Sequence, residues 1–147
     1  MRQHGGMRPL DVVVLLKMAL MKEPWYLKDV ADSLGISRSE VSESAARSVI
    51  AGLLTVDKKT VLKGPLLEFL LHGLKYVFPQ MPGSVIRGVP TAHSASPLKD
   101  QIQSDDIYVW PYFKGTVLGQ SIQPLYQSVP EACLKDEELY ELLSLVD

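Results

Sequence analysis

The chain holds a single cysteine, Cys133, so it can form no disulfide within itself, and a cross-linked secreted framework is excluded. A lone thiol suits a reducing compartment, and a cytoplasmic location is expected. Long hydrophobic runs are missing too. The longest apolar stretch near the N-terminus, Val12 to Leu16, is cut by Lys17. It is too short to span a bilayer and lacks the cleavage pattern of a signal peptide, so neither membrane nor secretion is expected. Neither sign of charge dominates: the net charge is -2, which argues against a strong general affinity for nucleic acid. The three histidines, His4, His72 and His93, are scattered without metal-ligand spacing. No glycine-rich phosphate cradle, internal repeat or low-complexity tract occurs. No metal or cofactor is therefore expected.

What is present is ordinary globular material. With 147 residues, 46% of them hydrophobic, the chain can bury a core without staples. The length suits one domain, or one small domain with a substantial appendage. Charge is unevenly distributed. Residues 1–64 carry ten Lys/Arg against seven Asp/Glu, and residues 65–147 carry five against ten. A mildly basic first half and an acidic second half suggest different partners for the two.

Residues 1–8 read as a loose polar end. Pro9 suits a first helical turn, and the following residues, Leu10 to Met21, are apolar nearly all round, as in a helix buried on several sides. Pro24 closes it. Leu27, Val30, Ala31 and Leu34 recur at helical spacing, and Gly35 sits where a helix ends in a left-handed residue. Ser37-Arg38-Ser39-Glu40 is a capping-box pattern. It opens a helix whose Val41, Ala45 and Val49 form an apolar line and which should stop near Gly52. The runs Leu53–Val56 and Val61–Lys63 flank Asp57-Lys58-Lys59-Thr60 as a small hairpin. Pro65 to Phe78 predicts one long apolar helix. Residues 79–106, rich in Pro, Gly and Ser, predict a long loop with a helical turn near Leu98–Ile102. A loop of that length is usually functional or mobile. Ile107–Trp110 and Thr116–Ile122 read as strands, residues 123–133 as a turn-rich connector, and Asp136–Val146 as an acidic amphipathic helix with Leu139, Leu142, Leu143 and Val146 on one side.

The strongest local signal lies between Leu27 and Arg47. A small residue at Ala31, glycine at Gly35 and an apolar β-branched residue at Val41 have the packing spacing of two helices joined by a tight turn. A buried helix precedes the pair and a Lys-tipped hairpin follows. Residues 9–63 therefore resemble a winged helix-turn-helix, most like the MarR-type regulators. The resemblance implies binding of double-stranded DNA. Helix 38–51 would enter the major groove. With Val41, Ala45 and Val49 turned inward, its outward face holds Arg38, Ser39, Ser42, Glu43, Ala46 and Arg47. Ser37 and the helix N-terminus would receive a phosphate, and Lys58, Lys59 and Lys63 would follow the neighbouring backbone or minor groove. Glu40 and Glu43 offset Arg38 and Arg47, so affinity per subunit should be modest and a homodimer is implied. Trp25-Tyr26-Leu27 spells the name of a ligand-sensing domain, but at a helix entry this is coincidence; Trp25 is expected as a core anchor.

The second half offers the segments Phe69–Tyr76, Arg87–Ser94 and Val109–Pro111. They resemble stretches joined to a helix-turn-helix in uncharacterised bacterial proteins, and no chemistry follows from that. They suit completion of the core and a dimer interface, or a small ligand pocket. Catalytic constellations are thin. His93 and Ser94 are adjacent and lack a third orienting group, Cys133 stands beside acidic residues, and Glu137, Glu138 and Glu141 read as a solvated helix face. An enzyme is not expected.

The expected fold is α+β: a winged helix at 9–63, then a helical extension and a smaller irregular αβ segment at 64–147. The expected function is a dimeric, sequence-specific transcriptional regulator of the repressor type, with helices 65–78 and 136–146 as dimerisation candidates. The alternative is an interaction module, such as an antitoxin or complex subunit, whose acidic second half holds a protein partner.

Overall fold

The computed structural model describes residues 6–147; His4 and most of the expected loose end lie outside these. The fold is mixed α and β, as expected, and divides into two compact units, one ending at Gly73 and one from Leu74 to Asp147. The boundary lies ten residues beyond the expected end of the winged helix at Lys63, and so the first unit includes the next helix.

In the first unit, α1 (Pro9–Leu20) starts on the expected proline. Leu10, Val12 to Leu16 and Met18 are all buried, each contributing about 1.5–3 kcal/mol by leaving water. That burial outweighs the small helix-propensity cost of three consecutive valines. Beside it lie α2 (Leu27–Leu34) and α3 (Arg38–Ile50), each in contact with α1 and with each other. Gly35 ends α2 with φ +67°, and its N–H and that of Ile36 both return to the Ala31 carbonyl. A side chain in that left-handed turn would be strained. Trp25 is buried, as its role as an anchor requires.

The hairpin after α3 is reduced to one antiparallel bridge, Leu54 to Val61. Lys63 belongs to no strand: it is the first residue of α4 (Lys63–His72). The expected long helix is broken at Gly73, beyond which α5 (Leu74–Val77) forms a single turn.

The second unit contains three strands closed into a small barrel. β1 (Val85–Pro90) pairs antiparallel with both partners. Its first half lies on β3 (Val117–Ser121) and its second on β2 (Tyr108–Pro111). β2 and β3 meet in parallel. The crossing is tight enough that a Cβ on Gly88 would collide with the Trp110 carbonyl, and one on Gly115 with the Gly88 backbone. β1 falls inside the segment expected to be loop. Two 3-10 turns follow, Ala92–Ser94 and Leu98–Asp100, the second where a helical turn was expected. The connector contains α6 (Val129–Leu134), and α7 (Glu137–Leu145) matches the expected acidic helix. Val89, Val109, Trp110, Val129, Cys133, Leu139 and Leu143 are buried in this unit.

Candidate nucleic-acid interface

The N-terminus of α3 is built as its sequence predicts. The Ser37 side chain accepts from the Glu40 N–H at 3.1 Å and donates to the Glu40 carboxylate at 3.2 Å. This satisfies one of the helix's free N–H groups. Ser37, Arg38, Ser39 and Glu43 are exposed, and Ser42 is half-buried. The Ser37 hydroxyl is occupied by the cap.

Two sequence expectations for α3 are corrected. The inward face is Val41, Ser44, Ala45 and Ser48, all buried, while Val49 is only partly covered. Small residues at 44, 45 and 48 give α3 a low inward surface where it meets α1 and α2. Arg47 was expected on the outward face, and its guanidinium instead turns to Asp11 of α1. Arg47 Nε donates to Asp11 Oδ2 at 2.9 Å and Arg47 Nη2 to Oδ1 at 2.8 Å, a two-pronged ion pair. The Ser44 hydroxyl adds 2.6 Å to Oδ1, and the Arg8 N–H adds 2.8 Å to Oδ2. The Asp11 side chain is fully enclosed. Its hydrogen bonds push the Arg47 pKa further up, so this cation is fixed and already neutralised. Asp11 drew no notice in the sequence because it stands in a run of valines; its one visible signal is that a charge there must be paired.

The hairpin tip is shaped by Asp57. Its Oδ1 accepts from the Thr55 hydroxyl at 2.6 Å and the Lys59 N–H at 3.0 Å. These bonds draw the exposed carboxylate below its ordinary pKa, the Thr55 bond foremost. Lys58 takes a left-handed backbone, φ +62°, and is half-buried, while Lys59 projects. Lys63 is exposed on α4. The structure thus brings Ser37, Arg38, Ser39, Ser42 and Glu43 together on α3. Lys58 and Lys59 lie at the tip, and Arg47 is engaged by Asp11.

Two groups considered for catalysis are held within the second unit. The Cys133 thiol is pushed up to about 12 by burial and by the nearby Asp136 and Asp147. His93 Nε2 donates to the Asp106 carbonyl at 2.7 Å, and the Ser94 hydroxyl accepts from the Tyr108 N–H at 2.9 Å. His93 and Ser94 do not bond each other in this arrangement. Among the described residues no three His, Cys, Asp or Glu side chains gather as a metal site. None of the described helices is long and apolar enough to cross a membrane. No protein family, curated protein or solved structure matches the chain.

Proposed function

We propose that the chain is a sequence-specific, DNA-binding transcriptional regulator of the MarR-like winged-helix kind, acting as a dimeric repressor. One observation carries this reading. A helix of thirteen residues follows a glycine-terminated turn and offers Arg38, Ser39 and Ser42 from its first two turns, with the Lys59-tipped hairpin close in sequence. Arg38 pairs with guanine or phosphate, the serines donate to either, and Lys59 neutralises a phosphate. Glu43 selects for cytosine and against close phosphates. A dimer doubles these contacts and sets the two α3 helices about 34 Å apart, one DNA turn. The exposed pair Leu67 and Leu71, one helical turn apart on α4 at 56% and 60% exposure, favours α4 as the dimer contact. α7 is less suited, because Leu139 and Leu143 are spent on its own unit's core.

The test is fluorescence anisotropy with labelled duplex from the gene's own upstream region against a scrambled duplex, at two salt concentrations. Arg38→Ala should cost about 1–3 kcal/mol and erode the preference for the upstream duplex. Lys59→Ala should weaken both duplexes alike and reduce the salt slope by about 1. No binding to either duplex at low salt overturns the proposal. It leaves the interaction-module reading, an antitoxin or complex subunit, which the acidic balance of the second half favours.

A further inference from the structure

In the second unit, residues 90–99 and α7 border a half-open cavity of about 200 Å³. This is below the range of drug-sized pockets and suits a smaller ligand. Pro90 and Ala95 give it an apolar lining. The rest is chemically divided: Lys99, Ser94 and Ser96 come from one segment, and Glu137, Tyr140 and Glu141 from α7. Glu137 and Glu141 are one helical turn apart and so share a face. Among the described residues, Lys99, Glu137 and Glu141 have no partner for their charges.

The hydrogen-bond inventory sharpens this. Ser94 already accepts from the Tyr108 N–H, so its own proton remains to be donated. Tyr140 already donates to the Pro90 carbonyl at 2.6 Å, so its oxygen remains to accept. One segment therefore supplies an ammonium and two hydroxyls free to donate, suited to a carboxylate. The other supplies acceptors only, two carboxylates and a phenol oxygen, which match the three N–H bonds of an ammonium. The walls are held in place. Thr91 and Trp110 both bond Asp147, the latter at 2.7 Å. Ala92, a buried non-glycine residue, is fixed at φ +53° at the entrance to the donor segment, a backbone state found where a site is over-determined by its surroundings.

We propose that this cavity binds a zwitterionic α-amino acid with an uncharged side chain up to the size of leucine. Its carboxylate lies on Lys99, Ser94 and Ser96, its ammonium on Glu137, Glu141 and Tyr140, and its side chain on Pro90 and Ala95. The lining residues all belong to the second unit, and the test contains no DNA.

The whole chain is melted in the presence of glycine, L-alanine, L-valine, L-leucine or L-methionine. Two half-molecules of leucine serve as controls, 3-methylbutylamine and 4-methylpentanoate. At about ten times Kd, at least one amino acid should raise Tm by a few degrees, and neither half-molecule should. Lys99→Ala and the double variant Glu137→Gln/Glu141→Gln lie on exposed positions and should melt within a few degrees of the parent. Each should weaken the Kd from calorimetry at least tenfold. The proposal is overturned if no amino acid shifts Tm, if either half-molecule shifts it as much, or if both variants keep the parent affinity.

Discussion

The Asp11 carboxylate is withdrawn from water, and it is tolerable there because the partly covered Arg47 guanidinium caps it. Removing one partner strands a buried charge, a far larger loss than the pair's net contribution. Arg47→Ala should therefore destabilise the chain by about 3–5 kcal/mol in urea titrations. Asp11→Leu combined with Arg47→Met should recover most of that loss. A single-variant cost near that of a surface substitution would show that the pair is not structural. Cys133 is the quieter case. With its pKa raised to about 12 and its side chain buried, the native thiol should resist a disulfide reagent at pH 8 and react once the protein is unfolded. The pattern Ser37-to-Glu40 was legible because the cap is local. The fate of Arg47 was not, because its partner lies thirty-six residues away and no spacing rule reaches so far.

At the scale of elements, the first unit was readable because its helices are written in period and punctuation: Pro9, Gly35, Ser37 and Gly52 all stand at ends. Ser37→Ala should cost about 1 kcal/mol by removing the α3 cap, checked by chemical denaturation. β1 was missed for a physical reason. Its sequence Val85–Pro90 contains an arginine, a glycine and a proline, and burial falls on its second half, so it shows no alternation. Its pairing rests instead on close backbone approach, as at Gly88. Gly88→Ala should force β1 from β2 and cost about 1–3 kcal/mol, with the loss seen in unfolding followed through Trp110. The break at Gly73 was likewise hidden, because the apolar pattern from Leu66 to Phe78 runs across it.

Across the whole molecule, the uneven charge is matched by an uneven response to pH. Asp147 is exposed as a residue, but its carboxyl tucks against Thr91 and Trp110, and the desolvation there pushes it up to about 6 from an ordinary 3.8, outweighing the bonds from those two side chains. Its folded state therefore holds a proton more tightly than the unfolded chain does. The stabilisation from this group is complete below about pH 4 and is lost as pH rises through about 6. Relative to Asp147→Asn, the parent should lose stability across that window, as read from urea midpoints at successive pH values. A parent-to-variant difference that stays flat would contradict the assigned burial.

The Asp11–Arg47 pair also divides α3 into two parts that tolerate change differently. Its second half is pinned, since Ser44 and Arg47 bond Asp11 of α1 and Ala45 and Ser48 are buried. A slip of α3 by one residue would leave a buried carboxylate without its cation. Its first half is held by the Ser37 cap and the buried Val41 and faces water at Arg38, Ser39 and Glu43. Sequence change is therefore cheap at positions 38, 39, 42 and 43 and expensive at 44, 45, 47 and 48. A library that varies the first set and fixes the second would explore new surface chemistry on an unchanged scaffold.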